Sequence, residues 1–420
     1  MIPAQSSGRI PVLRTGLACL LLAQAMTSLV PAQEALRLSL AGQDAAEARK
    51  KKLSTENFNV KLGPVAMRFD GSLGIEATDN VRNSDSNTES DLVIRPQVNV
   101  FSAWRVTEKN SLTFGMGLGY TKYLNASDYD RLLISPDTDL SFDLYVGDFA
   151  INFHDRFDYS QDVSTDPTVS GTGSLSRFEN TLGVNVVWDL NDVIVTSGYD
   201  HRNYLPTQSQ FDYLEHSAEL LTGTVMFRVR PTVFAGLEVG GGLMDYDQDI
   251  LQDNTHIAIG PAISVELSEY TSFRMSGGYV IYSLDTYGKT NLTSTTDAFY
   301  LDMSMSQRLG RLVDHTLSVG RSVQSGIASD LVDMWHVRHG ADWKVLRKTG
   351  VSTSISYERG TTSQTLGEEL ERYGFGIIFS RQLTQKMSGS LGYQFYLKNS
   401  DLAGRDYTQN RLVLNLGYAF

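Results

Sequence analysis

From about residue 64 to the C-terminus, apolar and polar residues alternate in short blocks with a period of two. Successive side chains of an extended strand point to opposite faces, so each block predicts a strand with one oily and one polar or small face. Phe114, Met116, Leu118 and Tyr120 oppose Thr113, Gly115, Gly117 and Gly119. Phe299, Leu301, Met303 and Met305 oppose Tyr300, Asp302, Ser304 and Ser306, and Ile257, Ile259, Ile263 and Val265 oppose His256, Gly260, Ser264 and Glu266. A helix would gather apolar residues at i, i+3 and i+4, and these blocks do not. The rhythm predicts about eighteen strands: 65–77, 91–104, 111–123, 138–146, 149–160, 176–188, 193–203, 212–228, 232–246, 255–268, 271–284, 296–307, 314–323, 332–345, 350–359, 369–381, 387–398 and 407–420. Within 212–228 the facing is ambiguous, because Leu220 and Leu221 are both apolar.

The connections alternate in length. Thr107–Asn110, Gly147–Asp148, Asn191–Asp192, Arg230–Pro231, Ser268–Tyr270, Arg347–Thr349 and Thr384–Lys386 are short. Longer polar segments lie at 78–90, 124–137, 161–175, 204–211, 247–254, 285–295, 324–331, 360–368 and 399–406. Outer-membrane barrels of bacteria have short periplasmic turns, longer outer loops and an even number of strands. The pattern therefore predicts an all-β chain folded as a transmembrane antiparallel up-and-down β-barrel of about 18 strands, with both termini periplasmic. Beyond the first 32 residues no run approaches 18 apolar residues, so helical spans are not expected.

Both ends of the chain agree. The last strand places Leu412, Leu414, Leu416, Tyr418 and Phe420 on one face and Arg411, Val413, Asn415, Gly417 and Ala419 on the other. An oily terminal strand invites aggregation unless it pairs, and closing a barrel pairs it. These five residues are the expected closure and assembly signal. At the front, Arg9 and Arg14 precede an interrupted apolar stretch from Leu17 to Val30, followed by Val30-Pro31-Ala32, which predicts a signal peptide over 1–32. Cys19, the single cysteine, falls inside it, so the mature chain would have neither disulfide nor thiolate chemistry. Residues 33–63 form an expected periplasmic N-terminal extension with a basic run, Arg49-Lys-Lys-Lys52, and 64–420 the barrel.

Composition narrows the function. The formal charge of −12 argues against nucleic-acid binding, which needs a basic footprint. Glycine (36), tyrosine (20) and phenylalanine (18) are abundant and proline (10) is sparse, a mix that suits glycine-punctuated strands. A mean hydropathy of −0.20 is compatible with a barrel, since only alternate residues meet lipid. Aromatics near strand ends, among them Trp104, Tyr120, Tyr123, Trp188, Tyr199, Tyr246, Tyr282, Trp335 and Trp343, predict interfacial girdles.

A charge facing lipid near the midplane costs several kcal/mol, so the charged residues of the strands are expected to line the lumen: Arg68, Asp70, Arg95, Asp143, Glu238, Glu266, Arg274, Asp302, Arg338, Asp342, Lys344, Glu358 and Arg372, with Glu76 and His154. They would line a passage for polar solutes or pair with one another to brace the wall. Catalytic chemistry has weak support. Asp200-His201 with Asp212, Glu215 and His216 flanks one loop, but no nucleophile or second carboxylate pair completes a site. His336 and His339, three apart on a strand, point to opposite faces and cannot share a metal. No cofactor or metal is expected.

The leader, the long strand region and the terminal Leu-Gly-Tyr-Ala-Phe420 resemble bacterial outer-membrane β-barrel proteins, and among them the β-barrel porin type 2 family, over about residues 64–420. The resemblance implies outer-membrane lipid as surroundings and handling by the barrel assembly machinery. It carries no functional residues over. Some members of the group are associated with export of extracellular polysaccharide. The expected function is thus a channel for polar solutes across the outer membrane, with alternatives in a polysaccharide conduit working with periplasmic export partners, or a structural or adhesive barrel acting through its loops.

Overall fold

A computed structural model describes residues 58–420 other than 137, 161–166, 173, 286–293, 327–330 and 363–366. The expected leader, with Cys19, and residues 33–57 of the extension lie outside the described residues.

Twenty strands form one sheet: β1 (Val60–Leu62), β2 (Val65–Thr78), β3 (Asp91–Arg105), β4 (Ser111–Tyr123), β5 (Arg131–Ile134), β6 (Asp139–Val146), β7 (Phe149–Ser160), β8 (Arg177–Asp189), β9 (Val193–Pro206), β10 (His216–Arg230), β11 (Val233–Tyr246), β12 (Asn254–Ser268), β13 (Thr271–Leu284), β14 (Ser294–Leu309), β15 (Val313–Ser325), β16 (Leu331–Leu346), β17 (Thr349–Thr362), β18 (Glu369–Gln382), β19 (Met387–Ser400) and β20 (Tyr407–Ala419). β1 is a short addition, and β5 with β6 makes one interrupted wall strand, which leaves eighteen wall strands. Each pairs antiparallel with the next, and β20 pairs with β2 from Asp70↔Ala419 to Thr78↔Arg411. The sheet therefore closes on itself, pairing the first wall strand with the last.

The two-residue rhythm sets the faces. On β4 the odd residues Ser111 to Tyr123 turn inward and Leu112, Phe114, Met116, Leu118 and Tyr120 turn outward. On β12 Asn254, His256, Ala258 and Ala262 are buried, while Ile257, Ile259 and Ile263 are exposed on the outside. An outer belt of large apolar side chains results, including Leu237, Phe227, Phe379 and Leu391.

Two departures from the expected strands have local causes. Residues 131–134 sit in the expected 124–137 loop but form β5, paired with β4 from Thr121↔Arg131 to Leu118↔Ile134. Arg131-Leu-Leu-Ile134 shows no alternation, so the sequence rhythm misses it. The wall breaks after it. Ser135 N–H donates to the Gly117 carbonyl (2.8 Å), and a Cβ at Gly117 would lie 2.5–2.7 Å from the side chains of Gln97, Asn99 and Ser135. In the second, β10 begins at His216 rather than 212, because Ser209–Leu214 coils into a 3-10 turn. Leu220 points inward at 3% exposure and Leu221 outward at 60%, which settles the facing. Of the aromatics expected in a girdle, Trp104, Tyr120, Trp188, Tyr199, Trp335 and Trp343 are exposed, whereas Tyr123, Tyr246 and Tyr282 are buried on the inward face.

Candidate functional site

The inner wall carries many of the charged residues of the strands, while Glu219, Arg321 and Asp333 stand on the outward face near the long-loop end. All thirteen residues of the expected lining stand on the inward-facing positions of their strands. Arg68 pairs with Asp70 (2.9 Å), which also accepts from Asn99 Nδ2 (2.7 Å). Asp143 is buried and accepts from Asn152 Nδ2 (2.8 Å). Glu238 is buried on β11, in the region where Tyr300 reaches over Gly260. Arg274 and Asp302 are half-buried on β13 and β14. Asp342 accepts from the Ser352 hydroxyl. Near the short turns, Lys344 pairs with Asp314 (3.0 Å) and Glu266 is exposed.

The remaining four, Arg95, Arg338, Glu358 and Arg372, belong to a repeated arrangement in which one carboxylate sits between two guanidinium groups. Arg338 (2.7 Å) and Arg372 (2.5 Å) flank Glu358 across β16, β17 and β18. Arg95 (2.6 Å) and Arg411 (2.8 Å) flank Glu76 across β3, β2 and β20, spanning the closure itself. Arg177 (2.6 Å) and Arg202 (2.6 Å) flank Glu179 on β8 and β9. Each triad is partly or wholly buried and neutralises its carboxylate, toward the end bearing the long loops. Arg177, Glu179 and Arg202 escape the sequence reading and Arg411, placed on the polar face of the last strand, is absent from the expected lining, although their positions on alternating strands carry the signal.

The long loop between β7 and β8 folds into that end of the barrel. Val169 and Leu175 join an apolar cluster with Tyr204, Ala218, Leu220, Met244 and Tyr246, all inward on β9 to β11. Next to Val169, Ser170 accepts from Lys398 Nζ on β19 (2.9 Å) and its hydroxyl donates to the Arg405 carbonyl (2.9 Å). Gly171 N–H donates to the Asn83 carbonyl (3.0 Å). β10 and β19 stand nine wall strands apart in a ring of eighteen, so this strap crosses the mouth from one side to the opposite one. Its far anchor is Glu368, buried, which holds Lys398 (2.8 Å) and Arg405 (2.8 Å) and accepts from the Ser400 hydroxyl (2.8 Å). The strap also explains why Leu220 is apolar and yet inward. No period in the sequence reports a loop that returns to cover it.

At the closure, Leu412, Leu414, Leu416 and Tyr418 take the outward positions of β20, and Phe420 N–H donates to the Phe69 carbonyl (3.2 Å). The Phe420 ring sits 3.4 Å from where a Cβ on Gly71 would be, so the glycine makes room for it. Asn59 clasps the junction, its Nδ2 donating to the carbonyls of Phe69 and Phe420 (both 2.8 Å).

The histidine cluster considered for catalysis is divided by the wall. Asp200 points inward and bonds His154 (2.6 Å). His201, one residue on, points outward to Glu219 (2.9 Å). His216 points inward, stacks on Tyr204 (4.9 Å) and meets the Tyr246 ring at a tilt of 50° (5.0 Å). No common site forms from them.

No protein-family model and no curated protein matches the chain, so the resemblance to the β-barrel porin type 2 family rests on pattern alone. Among solved structures, the barrel is similar to OccK5 (OpdH) of Pseudomonas aeruginosa, at 11% identity and a TM-score of 0.49, covering 84% of this chain and 98% of that one. It is similar to OpdK of the same organism, crystallised with vanillate, at 11% identity and a TM-score of 0.47, covering 84% and 99%. OpdQ of P. aeruginosa matches at 10% identity and a TM-score of 0.47, covering 84% and 99%. At such scores neither register nor lining residues transfer from those barrels to this one.

Proposed function

We propose that this chain is an outer-membrane channel for polar solutes, with the long loops outside and the short turns in the periplasm. One observation carries the reading: a closed wall with a belt of large apolar side chains on its outward face, and an inward face that holds most of the charged and hydroxylated side chains below the loop end. Water would have no reason to select that division, whereas lipid outside and solvent inside require it. An eighteen-strand ring is wide enough to leave an aqueous passage unless chain segments fill it. The thirteen inward residues line that passage. The strap, through Val169, Ser170 and Leu175, narrows its loop end beside the triads. The expected signal peptide at 1–32 delivers the chain across the inner membrane, lipid surrounds the barrel, and the assembly machinery inserts it through the strand ending at Phe420.

Purified protein in planar bilayers should give discrete conductance steps. Complete absence of steps, with barrel structure verified by circular dichroism, would overturn the channel.

A further inference from the structure

Four glutamates are fully buried among the described residues: Glu76, Glu238, Glu358 and Glu368. Glu76, Glu358 and Glu368 each hold two cations. Glu238, on the inward face of β11 and 1% exposed, makes no ion pair among the described residues, and neither of its carboxylate oxygens has a hydrogen-bond partner among them. Its cross-strand and diagonal neighbours are Thr224, Thr222 and Met226 on β10 and Gly260, Ala258 and Ala262 on β12, all uncharged. Taking a carboxylate out of water is costly unless a cation and hydrogen bonds attend it. The wall meets that requirement at three glutamates and not at the fourth.

The surroundings of Glu238 are shaped as well. Tyr300 on β14 is paired with Gly278 on β13, and its hydroxyl reaches to 2.6 Å from where a Cβ on Gly260 would stand. The ring thus crosses two strands whose glycines give it room, and it ends beside Glu238, where Ser276 also stands. Both neighbours are hydroxyls and bring no charge, and the Tyr300 oxygen is itself buried without a hydrogen-bond partner among the described residues. Asp302, on the same face of β14 as Tyr300, adds negative charge, and Arg274 is a diagonal neighbour of Asp302, not of Glu238. On the loop side, Gly240 and Ala258 form a floor with no side chain beyond a methyl. Past that floor, about 13 Å along β12 from Gly260, His256 is 4% exposed, and neither ring nitrogen has a partner among the described residues.

We infer that this stretch of inner wall is a binding subsite for a small organic cation, whose ammonium or guanidinium group docks on Glu238 beneath the Tyr300 ring. A positively charged N–H donor gives the carboxylate oxygens charge-assisted hydrogen bonds, as the arginines do at Glu76 and Glu358. The rest of the solute lies over Gly240 and Ala258 toward His256. A divalent metal ion fits less well. Hard cations take six or more oxygens, whereas Glu238 and Tyr300 together offer three. No cluster of three or more His, Cys, Asp or Glu that could hold a metal occurs among the described residues. Tyr300 is the cover, turning about its own side-chain bonds to admit the solute. The seat rests on the geometry of the wall; its part in solute passage rests on the channel reading.

Methylguanidinium is the probe and methylurea its uncharged counterpart. At millimolar concentration, methylguanidinium should raise the unfolding midpoint of the detergent-folded barrel, since a ligand that binds only the folded chain stabilises it. Methylurea should not. Glu238→Gln keeps the shape and removes the charge. It should fold with a midpoint at or above the parent's and bind methylguanidinium about tenfold more weakly or worse, through loss of the charge-assisted contact. Tyr300→Phe keeps the ring and removes the hydroxyl; it should weaken binding severalfold, less than Glu238→Gln, and guards against a Glu238 variant that fails to fold. In bilayers, methylguanidinium should interrupt the open level of the parent and leave that of Glu238→Gln undisturbed at the same concentration. Equal midpoint responses of the parent and Glu238→Gln overturn the subsite, as does a Glu238-dependent shift with calcium chloride and none with methylguanidinium. A barrel silent in bilayers that still shows the Glu238-dependent midpoint shift upholds the subsite and overturns only the channel.

Discussion

The barrel brings distant parts of its chain together in two places and secures them by different means. At the closure, Arg411 and Glu76 are 335 residues apart in sequence. They lie under a continuous backbone ladder of β2 with β20, from Asp70↔Ala419 to Thr78↔Arg411. At the mouth, Ser170 and Lys398 are 228 apart and meet through side chains alone, helped by an apolar cluster on the opposite side. Ladder hydrogen bonds in a membrane have no water to exchange with, so losing them is costly. The latch at the mouth is buried as well, Lys398 and Glu368 included, but it is held by side chains with no ladder behind them. The closure is thereby a structural joint and the strap an adjustable one, although both use arginine, lysine and glutamate.

Removing the carboxylate at the closure should break the comparison most severely. Glu76→Ala strands Arg95 and Arg411 on the inner wall. Breaking a buried ion pair by deleting one partner costs about 3–5 kcal/mol. Arg95 keeps 28% of its side chain exposed, which favours the lower end of that range. Urea unfolding of the detergent-folded barrel should show a clear drop in midpoint. The triple change Glu76→Met, Arg95→Met and Arg411→Met removes the charges together and should recover most of the loss. Recovery would show that the penalty comes from stranded charge and not from lost packing.

A second test concerns the outer face of the same strand. Leu414 is exposed on β20, paired with Ile75 and Leu391 near the middle of the strand. Leu414→Arg should cost roughly 2–4 kcal/mol in lipid, as cationic side chains do near the midplane of a barrel wall. The same substitution at Gly417, on the inward face of β20, should cost less. Equal losses at the two positions would contradict the assigned faces.

The wall away from the closure offers a smaller effect. Gly117→Val places a Cβ within 3 Å of the side chains of Gln97, Asn99 and Ser135. Overpacking of this kind costs about 1–3 kcal/mol. Because the break between β5 and β6 gives the wall some freedom there, the change should lower the unfolding midpoint without abolishing folding, and hydrogen exchange should quicken at β5 before β7.

How much of this was legible in the sequence follows the same division. The wall strands and their faces are local properties: Phe114 to Tyr120 announce their facing within one strand, and Leu412 to Phe420 announce a closure. Strand rhythm fails where a segment is too short to alternate, as at Arg131–Ile134, and where a residue answers to something beyond its own sheet, as at Leu220. Tyr123, Tyr246 and Tyr282 look like girdle residues from their place near strand ends, but the phase of alternation turns them inward. The triads are half legible, since inward parity follows from alternation but the choice of Glu358 as the shared acceptor of Arg338 and Arg372 depends on which strands are neighbours and in what register. The grip of Glu368 on Lys398 and Arg405 has no signature in sequence at all.

The strap itself supplies the smallest energetic effect and the sharpest functional one. Ser170→Ala removes the acceptor for Lys398 Nζ and the donor to the Arg405 carbonyl, while Glu368 still holds both cations. Net loss for such hydrogen bonds is about 0.5–1.5 kcal/mol each, and Glu368 remains to hold the buried Lys398 ammonium. The unfolding midpoint should hardly move, because the barrel does not depend on this contact. The strap would remain attached through Val169 and Leu175 on the β10 side but lose its latch at β19. Single-channel records should then show a larger or noisier open level than the parent protein, whereas Glu76→Ala should lower stability with little change in the open level of those molecules that fold. If Ser170→Ala instead lowered the midpoint as much as Glu76→Ala, the strap would be a structural joint after all, and the distinction between the two connections would fall.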